Sequence, residues 1–103
     1  MASGAHRSFR GSVSGTGSNL DVLIVGFRPH TVKLYNVTGN CSAVWLDSMA
    51  DASMQKIVDS GSGTSDTSFV SSGGVTPLAN GFRLGTDTDL NVSAEVVHYE
   101  AIG

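Results

Sequence analysis

The densest group of potential ligand side chains is an Asp-x-Asp-x-Asn segment near the end of the chain, formed by Asp87, Asp89 and Asn91. Oxygen ligands at alternate positions are what a calcium loop uses to surround its ion. This segment lacks the glycine and the distal bidentate glutamate of an EF-hand loop. Asp and Asn side chains also bond to their own backbone in turns, and the segment favours that role over a metal site.

The other titratable residues form no recognisable catalytic set. The histidines, His6, His30 and His98, show no metal-ligand spacing between any two of them. Because His98 is flanked by Tyr99 and Glu100, we expect it at a surface or an interface rather than as a general base. The glycine-rich stretches are not phosphate loops, since no Lys-Ser/Thr follows them. The sequence therefore predicts a protein that is not an enzyme and that uses no metal or cofactor.

The single cysteine, Cys41, excludes an intrachain disulfide. No recognisable Cys/His signature accompanies it, so we expect a small buried hydrophobic residue in a reducing compartment. No apolar signal segment opens the chain, and no apolar run approaches the roughly 18 residues that span a bilayer. We therefore expect a soluble protein, made in a cytoplasm, with no membrane partner.

Length and composition indicate one small domain. A chain of 103 residues with 40% hydrophobic residues supports one modest core. The net charge of −3 and the pI near 5.3 give no general attraction for nucleic acid. Thirteen glycines and only two prolines indicate tight turns or a flexible arm rather than helices.

A long final strand is predicted at residues 92–102, after a short strand at 82–84 and a polar turn at 85–89. Side chains alternate between the two faces of a strand, so Val97 and Tyr99 share one face with Ala101. Apolar residues also occur on the opposite face. The final strand is therefore expected at a central position in a sheet, or with one face covered by a neighbouring subunit.

Shorter strands are predicted upstream, at 8–14, 20–25, 31–37, 41–46, 54–58 and around Phe69. The strands at 20–25 and 31–37 are expected to form an antiparallel hairpin, and residues 71–80 are expected to form a turn-rich connection. Seven to eight short strands, with turns roughly every 8–12 residues, favour an all-β antiparallel sandwich or a jelly-roll-like fold. Trp45 is expected to anchor the core or a subunit interface, where its indole N–H needs an acceptor.

Two units are expected, an extended Gly/Ser-rich arm at residues 1–19 and a β-sandwich domain at 20–103. The arm has too few apolar residues to repay its ordering entropy alone. It is therefore expected to add a strand to its own domain or to bind a neighbouring subunit. We predict partner contacts for Arg7, Phe9, Arg10 and Val13, with Trp45, His98 and Tyr99 as further interface residues.

Two stretches resemble elements of small tailed-phage virion proteins. Residues 26–38, GFRPHTVKLYNVT, resemble a GF-P--V-V-N element. Residues 81–92, GFRLGTDTDLNV, resemble the GF-LGTDTD-N element near the end of the same proteins. Between them, Ala43-Val-Trp45 and the Met49-Ala50 turn fit in order and spacing. The resemblance covers roughly residues 20–103 and leaves the first 19 unmatched. It implies a β-sandwich structural protein of a bacteriophage particle.

Within that family, the first expectation is a head decoration (cement) protein on the capsid surface, synthesised in the host cytoplasm. Its partners would be the major capsid protein and further copies of itself, with a trimer favoured. The arm would reach across subunit boundaries, and Phe9 and Val13 would matter for attachment while leaving the fold largely intact. The alternatives are a tail-fibre or head-fibre/spike module and, from another class, a small enzyme or metal-dependent lectin that uses Asp87, Asp89 and Asn91. The fibre or spike module would present Tyr35, Trp45 and Tyr99 to host glycans.

Overall fold

The computed structural model describes residues 7–59 and 65–103, and in these two ranges the chain contains strands and no helix. That part of the chain therefore holds no helix long and apolar enough to cross a membrane. The strands are β1 (Ser8–Ser14), β2 (Leu20–Val22), β3 (Thr31–Asn36), β4 (Cys41–Leu46), β5 (Ser53–Asp59), β6 (Ser65–Leu78), β7 (Gly81–Leu84) and β8 (Val96–Ile102). All pairings are antiparallel, so the all-β antiparallel class and the strand number are confirmed.

The eight strands belong to one sheet in the order β1-β8-β3-β4-β5-β6-β7-β2, rather than to two separate sheets. The sheet curves until its distant strands meet across the core. Phe82 of β7 lies edge-to-face against Tyr99 of β8, with ring centroids 5.3 Å apart, although these strands are far apart in the sheet order. The result is a nearly closed barrel with β1 and β2 at its edges.

Inward-facing positions alternate along the strands and fill the barrel. In β8 the predicted face of Val97, Tyr99 and Ala101 is buried, and β8 lies between β1 and β3 as a central strand. In β3 the inward residues are Val32 and Leu34. The largest buried side chains are those of Trp45, Phe82, Leu34, Met54, Leu84 and Leu90.

The predicted hairpin between residues 20–25 and 31–37 is wrong. Strand β2 ends at Val22 and pairs with β7, while β3 pairs with β4 and β8. Leu23 and Ile24 follow the strand and are 53% and 73% exposed. The β2–β7 pairing depends on Gly81, because a Cβ there would lie 1.8 Å from the carbonyl oxygen of Val22. An Asp21–Arg83 ion pair of 2.6 Å joins the same two strands.

The predicted turn-rich connection at residues 71–80 is also wrong, because β6 continues to Leu78. The strand changes partner as it passes Gly73, which has a φ of 76°. Residues 65–70 and, after a register shift, Val75 pair with β5, and residues 75–78 pair with β7. A bend of this kind lets one long strand serve two walls of the barrel.

The final strand begins later than predicted, at Val96 instead of residue 92. Ala94 has a φ of 69°, which an extended strand does not allow. The backbone N–H of Glu95 donates to the carbonyl of Val92 over 3.0 Å, so residues 92–95 form a turn. This turn ends the β7–β8 loop, which lies over the end of the barrel.

Part of the segment at residues 1–19 is a strand of the same sheet. Strand β1 pairs with β8 from Ser8 to Ser14, so for these residues the expected strand on the chain's own domain is confirmed. Phe9 and Val13 pack against the core cluster from this strand. His6 lies outside the described residues. The predicted boundary at residue 19, between an arm and a β-sandwich domain, stays a prediction.

Candidate functional site

The Asp-rich turn of the β7–β8 loop is built around Lys56, an inward-facing residue of β5. The Lys56 ammonium donates to Asp87 Oδ2 over 2.9 Å and to Asp89 Oδ2 over 2.7 Å. Burial disfavours the charged ammonium, but the hydrogen bonds to Asp89 and Asp87 outweigh it and raise the pKa of Lys56. An ammonium group thus lies between the two carboxylates that were considered for a calcium ion.

The other oxygen of Asp87 completes the turn. Asp87 Oδ1 accepts the backbone N–H groups of Asp89 at 2.9 Å and Leu90 at 3.1 Å. The prediction that this turn uses its side chains to bond its own backbone is therefore confirmed. Within residues 7–59 and 65–103, no group of three or more His, Cys, Asp or Glu residues is arranged to hold a metal ion.

Asn91 was considered as a ligand, and it instead joins two loops. Its Nδ2 donates to the carbonyls of Ser18 at 2.6 Å and Gly85 at 2.8 Å. Its Oδ1 accepts the N–H of Thr16 at 2.9 Å. The side chain is buried, so these bonds satisfy an amide that would otherwise be costly to bury. Asn91 thereby fixes the β1–β2 loop to the β7–β8 loop.

Asn36 makes a similar connection that sequence reasoning missed. Its Nδ2 donates to the carbonyl of Leu90 at 3.1 Å and to Glu95 Oε1 at 2.9 Å, while its Oδ1 accepts the N–H of Gly39. A signal was present, because Asn36 continues the inward alternation of Val32 and Leu34. A polar residue at such a position requires buried hydrogen-bond partners.

Cys41 is buried, as predicted. Burial raises the pKa of its thiol to about 11, and the nearby Asp87 carboxylate acts in the same direction. The thiolate is the reactive form of cysteine, so this environment makes Cys41 a poor nucleophile.

We expect Cys41 to react with iodoacetamide at pH 8 at least about a hundredfold more slowly in the folded protein than in urea. The pKa rise from 9.0 to about 11 lowers the thiolate fraction by about that factor, and burial restricts access further. Mass spectrometry of time points measures both rates, with free cysteine in each buffer as the control for reagent reactivity. Equal rates in the two states would contradict the buried placement.

The predicted interface residues of the sheet occupy different environments. Trp45 is 1% exposed, and its Nε1 donates to the carbonyl of Ala50 over 3.2 Å, so it anchors the core. Tyr99 is also buried, which raises its pKa. His98 is exposed on the outer face of β8. The aromatic platform predicted from Tyr35, Trp45 and Tyr99 does not form, because two of its three members lie inside the barrel.

The predicted contact residues of β1, Phe9, Arg10 and Val13, divide between the two faces of the sheet, and Arg7 precedes the strand. Arg7 and Arg10 are exposed, and Arg10 Nε donates to Glu100 Oε2 over 2.8 Å. Phe9 stacks on the ring of Tyr99 at 6.2 Å, and Val13 packs against the core. Both side chains therefore contribute to the packing of the barrel, and the expectation that their replacement leaves the fold largely intact stays a prediction.

Four exposed apolar side chains lie on the outer faces of the neighbouring strands β3 to β6. Phe69 is 74% exposed, and Tyr35, Leu46 and Ile57 are between 38% and 45% exposed. The strand register places Tyr35 in the same cross-strand row as Ile57, and Phe69 in the next row. We call these four residues the outer apolar face. Sequence reasoning did not identify this surface.

A shallow groove of about 390 Å³ adjoins this surface. Tyr35 and Ile57 belong both to the outer apolar face and to the groove. The remaining lining residues are Asn36, Val37, Asn40, Cys41, Ser42, Asp59 and Ser65. Such an open, mixed surface fits contact with another macromolecule better than enclosure of a small ligand.

No protein-family model matches the chain, and neither does any curated protein sequence or any solved structure. The resemblance of residues 26–38 and 81–92 to phage virion proteins thus concerns two short motifs, and the fold places the residues of both. In the second stretch, Gly81 allows the close approach of β2, and Asp87 forms the turn around Lys56. Both are roles in the fold itself.

Proposed function

We propose that the protein is a non-enzymatic structural component of a bacteriophage particle. In this proposal it is a head decoration protein that binds the outer surface of the head and stabilises contacts between capsid subunits. The motif resemblance of residues 26–38 and 81–92 supports the class of particle. The observation that carries the binding role is the outer apolar face on strands β3 to β6.

The outer apolar face supplies the binding energy in this proposal. Apolar side chains grouped on one exposed face of a small domain mark sites of interaction. Fully burying one large apolar side chain contributes roughly 1.5–3 kcal/mol. A shell presents its binding site in many copies, so a modest affinity per subunit still gives a densely coated particle when neighbouring copies are linked.

Strand β1 has a supporting role in the proposal. Arg7, exposed just before the strand, provides positive charge on an otherwise acidic protein, which suits an acidic shell built from the major capsid protein, while Arg10 is paired with Glu100. Phe9 and Val13 hold the strand against the barrel from its inner side. The proposal includes self-association into a homo-oligomer, with a trimer favoured.

Co-sedimentation tests the proposal. The full-length protein is mixed with capsid shells that lack it. These shells are prepared from the virus that encodes the chain. We expect saturable binding at a fixed copy number per shell, which also reports the lattice site. The alternative fibre or spike role predicts no binding to shells and saturable binding to host cells. Absence of binding to shells would overturn the decoration role.

Two outer-face variants locate the contact. Tyr35→Ser and Leu46→Ser are each expected to weaken shell binding at least roughly tenfold, because each removes one large apolar contact. The matched control is Ile24→Ser, which removes a 73% exposed apolar side chain from the β2–β3 loop. Thermal unfolding confirms that all three variants fold. Equal loss of binding in the control would show that the outer apolar face is not the contact.

A further inference from the structure

The first half of β6 has a neighbouring strand on only one side. Residues 65–70 pair with β5, whereas β7 pairs only with residues 75–78. Residues 65–69 are all exposed. Within the described part of the chain, this leaves a six-residue strand edge open to solvent.

The backbone groups on this open edge follow from the hydrogen bonds of β5. The N–H of Asp59 donates to the carbonyl of Asn40 on the β4 side over 3.0 Å. Bonding direction alternates along a strand, so the odd-numbered residues of β5 face β4 and the even-numbered residues face β6. Even-numbered residues of β5 pair with even-numbered residues of β6. The N–H and C=O groups of Ser65, Thr67 and Phe69 therefore point outward, away from β5.

This edge carries few of the features that protect edge strands. Natural sheets block their edges with lysine, proline, bulges or very short strands. Residues 65–70, SDTSFV, contain neither lysine nor proline, and Asp66 is their only charged residue. By comparison, the barrel edge at β1 carries the exposed Arg10, and the edge strand β2 has only three residues. The open edge of β6 thus suits pairing with another extended strand.

We propose that residues 65–69 of β6 pair antiparallel with the same residues of a second copy of this chain, about a twofold axis at Thr67. This twofold contact closes a dimer, in place of the trimer favoured above, and it does not depend on binding to a particle. Twofold contacts that use one surface on both partners are the commonest in soluble oligomers.

The sequence of the edge is self-complementary in this register. Thr67 lies opposite Thr67 of the second copy, and Ser65 lies opposite Phe69, so the outward groups of each copy form about six backbone hydrogen bonds. Asp66 lies opposite Ser68, which keeps the two Asp66 carboxylates from facing each other directly. Threonine pairs are also favourable across strands. The two outer apolar faces become one continuous surface.

The contact is small, so the dimer is expected to be weak. Interfaces well below about 1,200 Å² belong to transient complexes. We expect a dissociation constant roughly in the micromolar to hundred-micromolar range, measured by sedimentation equilibrium of the full-length chain up to about 1 mM. A chain that stays monomeric at that concentration would overturn the proposal.

Charge substitution at the twofold axis tests the register. Thr67→Lys and Thr67→Glu each place two like charges opposite one another, so each dimer is expected to weaken roughly two- to fivefold. An equimolar mixture of the two variants is expected to recover association, because opposite charges then face each other. Failure of the mixture to associate more tightly than either variant alone would overturn this register.

Removal of a backbone donor tests the strand pairing itself. Thr67→Pro deletes an N–H that points away from β5, so the internal ladder is retained while two bonds of the dimer are lost. We expect dimerisation to weaken at least roughly tenfold. Thr67→Val keeps the N–H and is the matched control, with circular dichroism of both variants reporting the fold. A trimer, or a dimer unaffected by these substitutions, would overturn the β6 contact while leaving shell binding to be judged by its own assay.

Discussion

Replacing Trp45 with alanine is expected to lower the free energy of unfolding by about 3–5 kcal/mol. Trp45 is the largest side chain fully buried in the barrel, and it is 1% exposed. Its removal leaves a cavity between the walls of the barrel, and it leaves the carbonyl of Ala50 without the indole N–H that it accepts at 3.2 Å. Because small domains have roughly 5–15 kcal/mol of stability in total, the variant is expected to be partly unfolded at 37 °C.

Urea unfolding followed by circular dichroism measures this change. The matched control is Leu46→Ala, which removes an apolar side chain from the next residue of β4 on the outer face, where it is 43% exposed. We expect the control to change stability by less than about 1 kcal/mol. Similar losses in the two variants would mean that β4 does not present Trp45 inward as the structure shows.

The inward faces of the strands were predictable because they depend on local alternation alone. Val32 and Leu34 in β3, and Val97 and Tyr99 in β8, occupy every second position, and each set points into the barrel. Alternation defines two faces of a strand. It does not say which apolar residues on the second face stay exposed, so the outer positions of β3 to β6 were not recognised as a surface.

Strand pairing was less predictable because it depends on distant residues. Strand β2 lies next in sequence to β3, yet it pairs with β7, where Gly81 accommodates the backbone of Val22. The length of β6 was missed for a different reason. Its glycine and serine residues resemble a loop in composition, and only the pairing with β5 and β7 holds them in an extended conformation.

Half of the site around Lys56 was visible in the sequence. The two aspartates stand in one short segment, and their turn-forming role follows from their side-chain chemistry. Their cationic partner is 31 residues away from Asp87 along the chain. Only the curvature of the sheet and the path of the β7–β8 loop bring the two together, so the ion pair could not be read from spacing.

Replacing Lys56 with methionine is expected to destabilise the protein by about 2–3 kcal/mol. Removing one partner of a buried ion pair costs about 3–5 kcal/mol, because the remaining charge keeps its desolvation penalty without compensation. The expected value is lower here because the Asp89 side chain is 45% exposed and water can solvate it, whereas that of Asp87 is 6% exposed. Arg10→Met, which breaks the exposed pair with Glu100, is the matched control and is expected to change stability little.

The stability difference between wild type and Lys56→Met is expected to depend on pH in a defined direction. The pKa of Lys56 is raised in the folded protein, so its contribution is fully present below its ordinary value of 10.5. The contribution is lost as the pH rises through the higher folded value. The stability difference between wild type and Lys56→Met is therefore expected to be constant from pH 7 to 9 and to narrow above pH 10.5. A difference that widened at high pH would contradict the ion pair.

The double variant Lys56→Met/Asp87→Asn separates the loss of the charge pair from damage to the turn. Asparagine keeps an oxygen that can accept the N–H groups of Asp89 and Leu90, as Asp87 Oδ1 does. It also removes the charge that Lys56→Met leaves buried, so we expect the double variant to recover most of the stability lost in the single variant. Additive losses in the double-mutant cycle would instead show that Lys56 and Asp87 contribute independently, with Lys56 acting mainly through the packing of its aliphatic chain.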